Sequence, residues 1–434
     1  MKNYFVKLQL LFYNPIIIYL ILMISISFIA INSAIPLTKI NYPRILNPNF
    51  GIKQIIFIGI GVFIVIAIVV IGSDRIRALR WWIYFFWMIP LIGLFINKYL
   101  FSVKYAIERN GAHSWYEIGS NTIQPSEFMK IGIVLVVADI IQKHNERYPH
   151  LNRTFKTDFY LLVKIMMAIL PPTLLIFLQP DSGITMIILF FIALMIFASG
   201  IQWRYVLTIG GICLVLITIF ILLVTTFPEF LSETLKIDSY KLSRFYGWFS
   251  PFETMKTHGH QLAKGLLAIG SGGLTGNGFQ SSRVYFPEAH TDFIFAVIGM
   301  DFGLIGTLIT VTLCALFDIE ILNTATLNRG HYNSYVCIGI FGMLFFQQIQ
   351  NIGMTIGLLP ITGITLPFIS YGGSSSLSYM ILFGLVLSAY LEGLKIEHKE
   401  VDFHERTLYL KTKVYLKDNT IYSKNEIKNS KSKQ

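Results

Sequence analysis

Residues 287–295 read Pro287-Glu288-Ala289-His290-Thr291-Asp292-Phe293-Ile294-Phe295, and an apolar run continues from there to about residue 317. Such a run is long enough to cross a bilayer, whose hydrocarbon takes about 20 apolar residues of helix. Asp292 stands where the polar stretch turns apolar, so its carboxylate sits at the rim of a membrane, half out of water. An ionisable side chain at that depth is expensive and marks a functional site by default. Asp292 is therefore the candidate catalytic base. Helix capping by Thr291 or Asp292 is the plainer alternative. It accounts for one residue, but not for the gathering of Arg283, Glu288, His290 and the glycine-rich run before them.

Composition supports the membrane reading. The 434 residues are 54% hydrophobic and 14% charged, with a mean hydropathy of +0.61. Soluble domains are about a quarter charged, so the chain is a polytopic membrane protein. The net charge of +11 suits cytoplasmic loops lying against anionic lipid. That charge is spread along the chain, which argues against nucleic acid as a partner. Cys213, Cys314 and Cys337 all lie in apolar runs and read as small packing residues, not as disulfides or metal ligands. Lys2 and Lys7 precede a first apolar run with no small-residue cleavage site, which predicts a retained helix.

Runs long enough to span occur at about 15–34, 52–72, 81–97, 159–178, 183–200, 205–227, 291–317, 334–352 and 375–394. A weaker run over 125–143 carries Glu127, Lys130 and Asp139, which suits a helix facing the inside of a bundle. The fold class is thus an all-α polytopic membrane protein of about ten transmembrane helices, with a large extracytoplasmic loop over 228–290 between helices seven and eight. The transmembrane domain covers 1–394, and 395–434 form a basic, flexible cytoplasmic tail. Arg75, Arg77, Arg80, Lys143, Arg147, Arg153, Lys156, Arg204 and Arg329 fall in alternate loops, which puts both termini in the cytoplasm. Lys39, Arg44, Lys98, Lys104 and Arg109 break that pattern mildly. Within the large loop, the run Gly270-Ser271-Gly272-Gly273-Leu274-Thr275-Gly276-Asn277-Gly278 should not be helical. It suits tight turns and close approach of backbone to a ligand.

Three further motifs carry polar chemistry. In Gln124-Pro125-Ser126-Glu127-Phe128-Met129-Lys130, proline and serine suit a helix start, and Glu127 and Lys130 share one helical face. They read equally as a buried structural ion pair and as part of a site. Gln179-Pro180-Asp181-Ser182-Gly183 is a turn in which Asp181 can cap the next helix, the structural reading being favoured. From Asn351-Ile352-Gly353 to Ser370-Tyr371-Gly372-Gly373-Ser374-Ser375-Ser376 the pattern is irregular at membrane depth, so this backbone is buried or faces a wet cavity. Its glycines and serines can open a helix whose N–H groups face an anion such as a diphosphate, or can simply cap it.

Taken in order, QPSEFMK, QPDSG, AIGSGGLTGNG, PEAHTDFIF and NIGMTIGLLPITGITLPFISYGGSSS resemble the SEDS family, which includes RodA, FtsW and SpoVE. The likeness runs from the first helix to about residue 394, and the wording NIGMTIGLLPITGI leans towards RodA. Two departures stand out. Where relatives usually carry adjacent glutamates, this chain has Met300 and Asp301, and Trp115 follows Ser114 instead of a basic residue.

The resemblance implies a peptidoglycan glycosyltransferase of the bacterial cytoplasmic membrane that polymerises lipid II. It implies transfer of a lipid-linked nascent glycan onto the acceptor sugar with inversion, in cell-wall elongation. An inverting transfer needs one base on the acceptor side, here Asp292. Glu127, Lys130, Arg244, Lys264, Arg283, His290, Ser374 and Ser375 are the substrate-binding candidates, with Lys130, Arg244, Lys264 and Arg283 as counter-charges for the leaving diphosphate. No compact carboxylate set predicts a fixed metal site, so Mg²⁺ or Mn²⁺ would come with the diphosphate. Implied partners are a class B penicillin-binding protein transpeptidase and other wall-elongation membrane proteins. A lipid II flippase, a division polymerase and a scaffold are the rival readings. The flippase is disfavoured because the motifs gather on one side.

Overall fold

The computed structural model describes residues 14–41, 49–101, 105–109, 112–119, 121–149, 153–226 and 245–397. Its helices are α1 (Pro15–Ser33), α2 (Ile35–Asn41), α3 (Phe50–Ile71), α4 (Ser73–Tyr99), α5 (Pro125–Arg147), α6 (Phe155–Leu178), α7 (Ser182–Ala198), α8 (Trp203–Thr226), α9 (His260–Gly272), α10 (Ile294–Leu327), α11 (Tyr332–Thr355) and α12 (Gly373–Glu397). Seven are long and apolar enough to cross a membrane: α1, α3, α4, α6, α10, α11 and α12. With α5, the shorter α7 and α8 they match the ten predicted runs in order, although α4 begins eight residues before its run and α10 ends ten residues beyond its run. The chain is an all-α polytopic membrane protein.

Burial sorts these helices. Helix α5 is buried along most of its length, and Lys130 and Asp139 are almost fully enclosed. It therefore occupies the middle of the bundle, against α4, α6, α7 and α11, as its charges required. Phe63 of α3 and Trp82, Phe86 and Ile89 of α4 are exposed and form lipid-facing surface.

A small sheet lies outside the sequence expectation, as does helix α9 within the predicted loop. Residues 106–123 form a small antiparallel sheet of β1 (Ala106–Arg109), β2 (Ala112–Ile118) and β3 (Asn121–Ile123), in that order. Tyr116 pairs with Ala106 on one side and Ile123 on the other. Its hydroxyl donates to Pro90 O at 2.9 Å and fills the space where Gly93 lacks a side chain. At this end of the bundle Lys98 also donates to Leu178 O at 2.7 Å. At the opposite end Arg77, Arg80 and Lys143 surround Asp139 at 2.8–2.9 Å.

Glycine content misled at one place. Helix α9 ends at Gly272, so Gly270, Ser271 and Gly272 are helical and not loop. Helix propensity is a weak prior, and packing overrides it here. Gly272 lies so close to the carbonyl of Gly299 that no Cβ fits. The rest of the run turns through Gly273, Gly276 and Gly278, all at positive φ, and lies against α10. There α10 breaks at Gly303 (φ 64°, ψ −158°).

Candidate functional site

Asp292 precedes α10 in a tight turn. Glu288, at φ 54°, turns its carbonyl to accept the N–H groups of Thr291 (3.2 Å) and Phe293 (3.1 Å), and its carboxylate accepts the Thr291 hydroxyl at 2.8 Å. The N-cap of α10 is Phe293, with no side-chain cap.

Three successive carbonyls are then tied to the segment 351–371. His290 O accepts Tyr371 N–H at 2.9 Å, Thr291 O accepts the Ser370 hydroxyl at 2.7 Å, and Asp292 O accepts the Asn351 amide at 2.7 Å. Asn351 also donates to Ile364 O at 2.7 Å, so one buried amide joins both sides of the site. The half-buried Asp292 side chain lies beside Gly363, where a Cβ would come within 3.3 Å of Oδ2. Gly363 has φ 75°, so the backbone also calls for glycine there.

Neighbouring elements converge on the loop that carries Gly363. Gly183, at the start of α7, meets Ile364 and the carbonyl of Thr362. Asp181 caps α7 by accepting Ile184 N–H at 3.2 Å, and its other oxygen accepts Gln124 Nε2 at 2.7 Å and the Ser126 hydroxyl at 3.2 Å. The turn thus clamps the start of α5 to the start of α7, in line with its structural reading. Burial raises the proton affinity of Asp181 above the usual carboxylate range, against the hydrogen bonds that lower it. The amino ends of α5, α7, α10 and α12 all belong to this face, so four helix dipoles present their positive ends to it.

The predicted site residues fall into separate environments. Glu127 and Lys130 pair at 3.0 Å inside the bundle, and Ser378 of α12 donates to Glu127 at 3.0 Å. Lys130 lies 6.0 Å from the centre of the Tyr379 ring. The Tyr379 hydroxyl reaches Thr365 and Gln347 at 3.0 Å each, which links this pair to the loop beside Asp292. His290 is buried, stacked on Phe50 at 4.5 Å and near Tyr371 at 5.7 Å. Among the described residues its Nδ1 has no hydrogen-bond partner. Burial lowers its proton affinity, an effect that Glu288 opposes.

Lys264 is half-buried on α9, 5.6 Å over the Tyr285 ring, and its neighbour Gly265 packs on the ring of Phe293. Arg283 is exposed. Arg244 lies outside the described residues. Ser374 accepts Gln124 N–H at 3.0 Å and donates to Thr122 O at 3.1 Å, so it fastens α12 to β3 and α5. Ser375 is buried, its hydroxyl turned towards Gly372. Among the described residues, no group of three or more His, Cys, Asp or Glu side chains comes together as metal ligands would.

Sequence reasoning passed over Asn351, Gly363, Ser370 and Tyr379 as individuals. The signal for Asn351 was present: Gln347-Gln348-Ile349-Gln350-Asn351 is a polar run in an apolar helix, and four of its five side chains are buried. The Ser114 departure has a local reason. Ser114 is buried and donates to Gln179 O at 3.2 Å, so here the position ties β2 to the turn after α6. A cavity of about 390 Å³, lined by Lys98, Tyr99, Glu108 and His113 among others, shares no residue with the Asp292 constellation.

Known proteins match this arrangement. Residues 13–393 match the FtsW/RodA/SpoVE family of cell cycle proteins. Stage V sporulation protein E of Bacillus subtilis is 30% identical over 344 residues, covering 78% of this chain and 86% of the relative. A probable peptidoglycan glycosyltransferase FtsW of Lactococcus lactis is 35% identical over 297 residues, covering 64% of this chain and 69% of the relative. Among solved structures, a peptidoglycan synthase complex described as coordinating polymerization and crosslinking contains a chain with a TM-score of 0.68 at 23% identity, covering 87% of this chain and 97% of that one. The rod shape determining protein RodA of Thermus thermophilus gives 0.59 at 24% identity, covering 86% and 95%. By its motifs, its fold and its match over nearly the whole bundle, the chain belongs to the FtsW/RodA/SpoVE family, the SEDS proteins.

Proposed function

We propose that the chain is a peptidoglycan glycosyltransferase that extends glycan from lipid II, with Asp292 as the general base. The observation that carries this reading is the triple anchoring of residues 290–292. Three adjacent carbonyls are tied to α11 and the loop after it, while the Asp292 carboxylate is left half-buried at the lip of the bundle. A base must be held at hydrogen-bonding reach of the proton that it removes. The acceptor sugar hydroxyl would give its proton to Asp292 as its oxygen attacks the anomeric carbon of the donor, and the lipid diphosphate would leave. An inverting transfer needs that one base, and a diphosphate leaves without being protonated.

The departing charge needs cations or oriented N–H groups. Lys264, Arg283 and Lys130 are the proposed sources among the described residues, together with the amino ends of α5, α7, α10 and α12. A divalent ion would travel with the diphosphate. The Asp292 face is read as extracytoplasmic and the arginine-rich face around Asp139 as cytoplasmic. Ten crossings then return both termini to the cytoplasm.

The test is extension of lipid II by purified full-length protein with its cognate class B penicillin-binding protein, the proposed partner. Asp292→Asn should lower turnover about 10²- to 10⁴-fold, the usual worth of a general base. Activity within a fewfold of wild type would defeat the assignment. For cellular role we propose RodA-like elongation, on the wording of residues 351–364. The names FtsW and SpoVE among the curated relatives favour division or sporulation as the second reading. Depletion separates them: rounded cells for elongation, filaments for division.

A further inference from the structure

The break in α10 at Gly303 leaves backbone groups without helical partners, and an outer loop supplies them. Met300 O accepts Asn277 N–H and Asp301 O accepts Gly278 N–H, each at 3.0 Å. Beyond the break, Leu304 N–H and Ile305 N–H donate to Gly273 O (3.0 Å) and Leu274 O (3.2 Å). Residues 273–278 therefore stand in for a missing helical turn. Gly276 and Gly303 come so close that a Cβ on either would strike the other segment.

One side chain closes this joint. Asp301 is buried, and its two oxygens accept the hydroxyls of Ser33, at the end of α1, and of Ser281, beyond the loop. Ser33 in turn accepts Gln280 N–H at 2.9 Å, and the Gln280 amide donates to Asn32 O at 2.9 Å. Three elements thus meet on one carboxylate. Met300, at the other position where relatives carry an acid, is fully buried among apolar groups and makes no such link.

We infer that Asp301 is a positioning residue for Asp292, clasping α1 and the outer loop onto the broken helix whose outer segment has Asp292 at its tip. The inference rests on the reading of Asp292 as the base. From Gly303 to the start of α10 the segment is about 14 Å long at 1.5 Å per residue. A tilt of about 4° at the break moves its tip by about 1 Å, and a displacement of that size costs on the order of 100-fold in rate. The opposite anchor, through Asn351, Ser370 and Tyr371, meets α1 six residues before Ser33, where Ser27 donates to Ile369 O at 2.8 Å, so it does not hold the end of α1 at Ser33 or the outer loop onto the break.

The test pairs turnover of lipid II with amide exchange, on full-length protein. Asp301→Ala should lower kcat on the order of 100-fold with KM unchanged, and should speed exchange over residues 273–281. Ser281→Ala leaves the carboxylate in place and carries the same expectation at smaller size, so the idea stays exposed if Asp301→Ala fails to fold. In the Asp301→Ala background, Ser281→Ala should add nothing, as partners in one network are non-additive. Wild-type kcat in Asp301→Ala, additive losses, or lost activity with unchanged exchange at 273–281 would each overturn the clasp. Wild-type activity in Asp292→Asn would instead sink the base reading, and the exchange data would still judge the clasp.

Discussion

Replacing Glu127 by glutamine leaves Lys130, which has no exposed surface, without its ionic partner at 3.0 Å and, among the described residues, with no other. At that distance and an effective dielectric of about 20, the attraction is about 5.5 kcal/mol. Burying both charges cost a comparable amount, so the intact pair adds little net stability. Removing one partner is different, because the desolvation of the other remains. The expected loss is about 3–5 kcal/mol, a shift of roughly two to three and a half decades in the folded fraction at about 1.4 kcal/mol per decade. The double replacement Glu127→Gln with Lys130→Met removes both charges and should recover most of that loss. Equilibrium unfolding of purified protein in detergent would measure both. If Glu127→Gln is as stable as wild type, or the double variant is no better than the single, the ion-pair reasoning is wrong. Lipid II extension by the double variant then separates the two roles of the pair. A stable but inactive protein assigns it to the site, and a stable and active protein assigns it to the bundle alone.

Gly303→Ala should cost about 1–3 kcal/mol for the positive-φ, extended backbone alone, a region only glycine adopts readily, and more because the new Cβ would lie 2.5 Å from Gly276 N and Leu274 O. Gly270→Ala on α9, with nothing within 4 Å of its Cβ position, should be neutral or stabilising by up to about 1 kcal/mol. Thermal unfolding of the two variants should therefore move in opposite directions or differ clearly in size, and equal shifts would refute the backbone account. Burial of His290 lowers its proton affinity in the folded protein, so the unfolded chain takes up this proton first on acidification. The stabilisation by the neutral, stacked imidazole is complete above the unfolded pKa, about 6.5. It is lost as pH falls from there through the lowered folded value. His290→Phe should flatten the pH dependence of unfolding between about pH 7.5 and 5; an unchanged slope would assign that dependence to other groups.

The helices were legible because bilayer thickness acts on the chain one segment at a time. A run such as 294–317 of α10 is apolar whatever it packs against, so length and hydropathy suffice. The inward position of α5 was legible for the complementary reason: Glu127, Lys130 and Asp139 exclude it from lipid. The sheet over 106–123 was not legible. Its strands are three to seven residues long, and the helices beneath carry the strongest local signal. What holds the sheet, Tyr116 on Pro90 and Ser114 on Gln179, is contact between distant segments.

The site divides along the same line. Asp292, Glu127, Lys130 and His290 could be singled out because a polar side chain in apolar surroundings is visible in sequence. The groups that fix Asp292 in space are mostly backbone: carbonyls at 290, 291 and 292 received by an N–H, a hydroxyl and an amide some 59–81 residues further on. Carbonyls have no sequence signature, so no motif spacing could reveal that arrangement. The glycine run shows the same limit from the other side. Glycine permits close backbone approach but does not name what approaches, and a phosphate or a broken helix would select it equally. In this chain the helix occupies that space at Gly303, Met300 and Asp301, so residues 273–278 are committed to α10. An anion at the same face must then be met by side chains and helix amino ends instead. That requirement directs attention from the glycines to Lys264 on α9, whose neighbour Gly265 already rests on Phe293.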